Sequence, residues 1–196
     1  MLEPANTRDT VRPSGSEDRD HGVSSLRFVT VDQRSALAKP LLSELTVDYV
    51  ARYGGSVEDM ASWLQGRASE FGPPGGSMMV GLLPSADGEV PVTGGAFCPY
   101  DAKTAELKRI WTHSGYRRRG LARRLLSQLE AQIADRGYSR MYLVAGDRQP
   151  EAEALYLASG FRRLDEPLPT EDVYPDAFTG VEPRAFAKDV PGRAHP

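Results

Sequence analysis

The sequence has one cysteine, no long apolar run and no surplus of charge, and each shortage removes a class of protein. Cys98 has no second cysteine to pair with. That excludes an internal disulfide framework and suits a reducing compartment. No His and Asn signature accompanies it, so it is read as a small strand residue and not as a nucleophile. No apolar segment approaches the roughly 20 residues that a spanning helix needs. The start, Met1-Leu2-Glu3-Pro4, shows no basic stretch followed by an apolar one, so no secretory signal is expected and a cytoplasmic location is. The 24 Lys and Arg nearly cancel the 27 Asp and Glu, leaving a net charge of -3, which argues against a general nucleic-acid binder. No His, Cys, Asp or Glu cluster has metal-ligand spacing, so no metal is expected, and no internal repeat is present.

What is there suits one domain, since 196 residues can bury a real core. Residues 1–25 carry almost no large apolar side chain and are expected to be a disordered tail. Residues 26–190 form the domain, and 191–196 a second tail. Alternation predicts a strand over 26–31, and helical spacing predicts a helix over 35–53 that Pro40 either starts or breaks. Ser56, with Glu58 and Asp59 behind it, caps a second helix. Strands over 77–83 and 90–97 are joined by a turn at Asp87-Gly88, and a fourth strand covers 104–112. Leu121, Leu125, Leu126, Leu129 and Ile133 form one stripe of a strong helix that ends at Gly137. A buried strand over 141–145, a helix over 150–159 and strands over 161–164 and 184–188 complete the order. Strands, then strand-helix-strand-helix-strand, indicate a mixed, mostly antiparallel α/β sheet of six or seven strands with flanking helices.

The most informative stretch lies between the fourth strand and the strong helix. Arg117, Arg118, Arg119, Arg123 and Arg124 stand there with no acid among them. A helix start already carries roughly half a positive charge, so each cation costs about 0.3 to 1 kcal/mol unless an anion is bound. Gly120 and Ala122 leave backbone N–H groups uncovered for phosphate oxygens. The pattern Arg117-x-x-Gly120-x-Ala122 resembles the acyl-CoA pyrophosphate loop of the GNAT superfamily of N-acyltransferases. The flanking segments, Ala105 to Trp111 and Ala152-x-x-Leu155-Tyr156-x-x-x-Gly160-Phe161, resemble that family's elements in the same order.

The resemblance implies the GNAT fold, acetyl-CoA as co-substrate, and transfer of its acetyl group to a primary amine through a tetrahedral intermediate. Arg117, Arg118, Arg119, Gly120, Leu121 and Ala122 would hold the diphosphate. Ile110, Trp111 and Thr112 would offer backbone groups to the pantetheine arm. Gln149 stands where the family often has Asn, and would help orient cofactor and helix. Glu106, an acid inside a strand, is the first candidate for the base, with an ion pair to Lys108 or Arg109 as the alternative. His113 is the second. Tyr156 matches the family tyrosine that donates a proton to the departing sulfur. Tyr49, Arg52 and Tyr53 share one helix face and could contact the acceptor, or serve packing and exposure. The acidic loop Asp165, Glu166, Glu171, Asp172, Asp176 and Glu182 could attract a cationic amine, or be solvated. The expected partner is a small-molecule or peptide amine, with no nucleic acid and no membrane, acting on a monomer or homodimer. A non-catalytic acyl-CoA sensor and a binder of nucleic-acid phosphates are the alternatives.

Overall fold

The seven strands expected from the sequence all form, and they join one sheet in the computed structural model, which describes residues 25–170 and 175–191. The expected tails lie outside the described residues except at Ser25 and Pro191. In chain order the elements are β1 (Arg27–Val31), α1 (Lys39–Tyr53), α2 (Val57–Gln65), β2 (Ser77–Ser85), β3 (Gly88–Pro99), β4 (Thr104–Thr112), α3 (Leu121–Asp135), β5 (Arg140–Gly146), α4 (Pro150–Ala158), β6 (Arg162–Arg163) and β7 (Pro183–Asp189). The strand order is β1-β2-β3-β4-β5-β7-β6. All neighbours are antiparallel except β4 and β5, which α3 connects as the crossover that a parallel pair requires. The mixed, mostly antiparallel sheet with flanking helices is therefore the observed fold class.

Several boundaries differ from the sequence reading by a few residues, and two of the differences have a local reason. α1 begins at Lys39 and not near Ser35, because Pro40 lacks an N–H and is tolerated only in a first turn. Ser85 pairs with Gly88, so Ala86 and Asp87 form the hairpin turn, one position earlier than expected. Gly88 is the first paired residue of β3 and takes φ of +122°, a region that side chains rarely enter. β6 is only two residues long.

The caps act as the sequence suggests. Ser56 Oγ accepts the Asp59 N–H at 3.0 Å at the start of α2. At the end of α3, Gly137 sits at φ +84° and the Tyr138 N–H returns to the Ile133 carbonyl.

The pleat divides the core into two faces. Met78 and Met79 are neighbours, as are Ala96 and Phe97, yet they fall in different buried clusters. Met79, Phe97, Ala105 and Leu107 pack against the α3 stripe of Leu125, Leu126, Leu129 and Ile133, together with Tyr156 from α4. Met78, Ala96, Cys98 and Trp111 pack against Leu41 and Leu45 of α1 and Met60 and Leu64 of α2. Each fully buried Leu, Ile, Met or Phe side chain among them contributes about 1.5 to 3 kcal/mol, so the two faces hold the sheet between the helices.

Candidate active site

β4 and β5 pair at only three positions, Thr104 with Arg140, Ala105 with Met141 and Glu106 with Tyr142, and then part. Beyond that point β4 keeps its partner β3 and β5 keeps β7. β4 also carries a bulge. Between the pairs Gly94–Trp111 and Ala96–Lys108, two residues, Arg109 and Ile110, oppose Gly95 alone, and Arg109 takes φ +56°. An extra residue bends its strand and strengthens the local twist, which favours separation from β5. The opening is a cavity of about 1000 Å³, reaching from the start of α3 to the 3-10 turn Asp176–Phe178.

At one end of the cavity, Gly120 forms the α3 N-cap at φ +75°, with no side-chain cap and no acid in the first turn. The first N–H groups of the helix have no intrahelical acceptor. Arg117, Arg118, Gly120, Leu121, Ala122 and Arg123 line the cavity there. Arg117 Nε donates to the Thr112 carbonyl at 3.3 Å, tying the loop to the end of β4. Arg119 is not on the lining; its guanidinium lies over the Tyr116 ring, 5.1 Å from the centroid.

Ile110, Trp111 and Thr112 all line the opening. The Trp111 carbonyl is turned to β3, where it accepts Thr93 Oγ1 at 2.8 Å, and its indole N–H donates to Glu44 at 3.0 Å. Glu44 also accepts the Ser114 N–H and faces His113 Nε2 at 3.4 Å. His113 Nδ1 accepts the Gly115 N–H, and the ring is not on the cavity lining.

Where the strands part, Glu106 and Tyr156 both line the cavity. Glu106 is buried, with Oε1 2.7 Å from Lys108 Nζ, so the ion pair weighed from sequence and the cavity position coexist. Tyr156 is 7% exposed and packed edge-on to Phe161 at 5.8 Å, with Phe186 at 5.7 Å. Its hydroxyl has no hydrogen-bond partner among the described residues, and burial, reinforced by Tyr49, pushes its pKa well above the usual tyrosine range. Gln149 Nε2 donates to Tyr53 Oη at 2.9 Å, so it orients the neighbouring tyrosine.

Arg52, offered by the sequence to an acceptor carboxylate, is spent inside the protein. Its Nε donates to Asp48 at 2.8 Å, one terminal nitrogen donates to the Arg148 carbonyl at 2.6 Å, and the other reaches Asp48 and Glu151. Arg148 answers by donating to the Arg52 carbonyl at 2.8 Å. The arginine thus joins α1 to the start of α4. Tyr49 and Tyr53 do face the cavity, with Trp63 and Phe178 beside them. Burial holds the Tyr49 hydroxyl up to about 12 and raises that of Tyr53.

Among its described residues the loop before β7 borders the opening through Pro167, Leu168, Phe178 and Val181, and none of its described acids lies on the lining. Asp165, Glu166, Asp176 and Glu182 are not on the lining, and Glu171 and Asp172 lie outside the described residues. Two tyrosines hold this loop: Tyr142 Oη accepts the Leu168 N–H at 3.0 Å and Tyr100 Oη donates to the Pro169 carbonyl at 2.6 Å.

Sequence reasoning missed the roles of Arg109, Trp63 and Phe178. Arg109 donates to the Leu64 and Gly66 carbonyls and lies 4.4 Å over Phe71, and burial lowers its pKa to about 10. A cation at the bulge left no signal beyond its position in a strand. Phe178, a ring isolated in a Pro-rich loop, was the one available clue. Among the described residues no group of three or more His, Cys, Asp or Glu could hold a metal ion, and no helix is long and apolar enough to cross a membrane.

Comparison with known proteins agrees with this architecture. Residues 42–161 match the model of the Acetyltransferase (GNAT) family. Among solved structures, an acetyltransferase of the GNAT family from Staphylococcus aureus is 16% identical, with 85% of this chain and 99% of that one covered at a TM-score of 0.66. An acetyltransferase from Streptococcus agalactiae is 16% identical, covering 84% and 98% at 0.65. One from Thermus thermophilus is 21% identical, covering 86% and 99% at 0.61. At such identities the likeness is one of fold. No curated protein matches the sequence.

Proposed function

The chain belongs to the GNAT acetyltransferase family, and from that premise we propose that it moves an acetyl group from acetyl-CoA to a primary amine. The observation that carries this reading is the parting of β4 from β5, which puts an unpartnered tyrosine hydroxyl, a buried carboxylate and an uncapped, arginine-ringed helix start on one cavity. The helix start fits a diphosphate: Gly120 leaves open space where a side chain would stand, and Arg117, Arg118 and Arg123 supply counter-charge.

In this proposal the amine nitrogen attacks the thioester carbon and the carbonyl electrons move to oxygen, giving a tetrahedral intermediate. Glu106 accepts the proton that the amine gives up, directly or through a water, while Lys108 holds its carboxylate in place. The intermediate collapses with cleavage of the C–S bond, and Tyr156 Oη protonates the departing sulfur. Burial keeps the phenol protonated at neutral pH, so the proton is there to give, while making it a weaker acid than a phenol in water. Ile110, Trp111 and Thr112 border the acyl-CoA arm, and Gln149 acts through Tyr53. The proposed enzyme is one catalytic domain over residues 26–190, placed in the cytoplasm as a monomer or homodimer.

Calorimetric titration with CoA and acetyl-CoA, followed by amine-dependent thiol release, tests the reading. Heat of binding and a mass increase of one acetyl group on the amine are expected. No binding at millimolar CoA would reject it.

A further inference from the structure

Arg109 stands on the cavity lining beside Trp63, Leu64 and Phe71, at the end away from the α3 start. Its Nε donates to the Leu64 carbonyl at 3.0 Å, and one terminal nitrogen donates to the Leu64 and Gly66 carbonyls at 2.6 and 3.1 Å. The other terminal nitrogen has no acceptor among the described residues and is not sealed within the protein. Carbonyl dipoles hold a guanidinium in place but bring no counter-charge. The described groups that its charge reaches supply none either. Burial holds Tyr49 up to about 12 and Cys98 up to about 11, so both are neutral at neutral pH. Glu70 is taken by Arg67 through two bonds. Burial pushes Arg109 itself down to about 10, so it stays charged. A half-buried cation without a counter-ion is unfavourable, and a bound anion relieves it.

Resting on the acyl-CoA reading above, we infer that Arg109 is a carboxylate subsite for the acceptor, and that the amine acetylated belongs to a free amino acid. The role that Arg52 cannot fill, with its donors held by Asp48, Glu151 and the Arg148 carbonyl, thus falls to a residue on β4. Arg109 follows the proposed base Glu106 by three residues, so their Cα atoms are at most about 11 Å apart. Tyr49 links the subsite to the chemistry: it helps to raise the pKa of Tyr156 and feels the Arg109 charge, so the proposed acid and the subsite flank one ring. The open nitrogen offers two N–H groups, a match for a singly charged carboxylate, whereas a phosphate dianion would leave most of its oxygens unmet. Tyr49 and Trp63, with centroids 6.4 Å apart, give apolar surface to the carbon skeleton. The diphosphate does not compete, because its proposed site lies with Arg117, Arg118 and Arg123.

The test compares each common L-amino acid, and 4-aminobutyrate, with its carboxamide, which keeps the amine and the body and removes only the charge. CoA binding is measured first by calorimetry on the full chain, then kcat/KM for each amine by thiol release and product mass. The expected result is that at least one acid is used at least about tenfold better than its amide, the scale of a hydrogen bond to a charged group. Arg109→Gln should bring that ratio to within about threefold of one and leave the acetyl-CoA Kd within about twofold. Arg109 also holds the end of α2, so if a urea melt shows that Arg109→Gln does not fold, Arg109→Lys takes its place; it keeps the charge without the fork and should lower the ratio at least about threefold. If CoA binds but no amino acid is used, or none is used better than its amide, or the ratio survives in the folded variant, the inference is overturned and the acyl-CoA reading stands. Absence of CoA binding overturns that reading and the inference with it.

Discussion

Removing one oxygen atom at Tyr156 separates the chemical role of that residue from its packing role. The ring fills the space between Phe161 and Phe186 and is 7% exposed, so Tyr156→Phe keeps its contacts. The hydroxyl has no protein partner among the described residues, so its loss breaks no hydrogen bond, and stability should hold or rise by up to about 1 kcal/mol. The rate should behave differently. A positioned general acid contributes about 10²- to 10⁴-fold, and a thiolate is a fair leaving group, so the lower bound applies. The expected loss of kcat is about 100-fold, or about 2.7 kcal/mol of barrier. The CoA Kd should stay within about twofold, because the diphosphate site proposed at the start of α3 does not include Tyr156. Single-turnover kinetics with acetyl-CoA, beside a urea melt and calorimetry, measure all three quantities. A kcat within about threefold of the parent, or a Kd that worsens in step with kcat, would refute the acid role. The raised pKa adds a second check: no fall in rate traceable to this phenol should occur below about pH 10.

Other perturbations separate neighbouring residues that the sequence groups together. Arg123→Ala should raise the acetyl-CoA KM about tenfold and flatten its salt dependence, whereas Arg119→Ala, whose side chain lies over Tyr116, should change it less than about threefold; equal effects would contradict the assignment of the lining. Arg52→Lys should lower the urea-melt stability by about 1 to 2 kcal/mol, because a single ammonium cannot hold Asp48, Glu151 and the Arg148 carbonyl together; unchanged stability would show that the α1 to α4 link is idle. The folded-state pKa values of Tyr49 and Tyr142 are both pushed up to about 12 from about 10, so the folded chain holds protons that the unfolded chain releases between those values. Stability should therefore be intact below about pH 10 and fall above it, by about 1.4 kcal/mol per pH unit for each tyrosine, and Tyr49→Phe should remove one such share in melts at pH 9 to 11. Glu106→Gln should shift the pH profile of kcat/KM while leaving CoA binding in place, and an unchanged profile would exclude it as base.

The order of elements was legible because period-2 and period-3.6 patterns report burial on sheets and helices, and because Gly137 and Ser56 mark ends through local backbone chemistry. The helix-start loop was legible for the same reason: charge of the wrong sign at a helix N-terminus is a local fact. What stayed hidden depends on partners distant in the chain. Nothing near Arg52 reveals that Arg148 and Glu151, nearly a hundred residues on, occupy its donors. Composition likewise does not say which side chains of the loop before β7 face inward; among its described residues Pro167, Leu168 and Phe178 do. The left-handed turn at Arg109 defied the rules of propensity, since such a conformation is expected of Gly or Asn.

That bulge also splits β4 into two reading frames. Before it, Glu106 and Lys108 share the α1 and α2 side while Leu107 faces α3. After it the parity reverses: Ile110 touches the α3 cluster and Trp111 joins α1 and α2. Deleting Arg109 would thus turn β4 into a regular ladder in which Lys108 and Ile110 alternate, leaving every other side chain on its present face and removing only the bend. A scan of substitutions along this strand should show its pattern of tolerance change phase at that single residue.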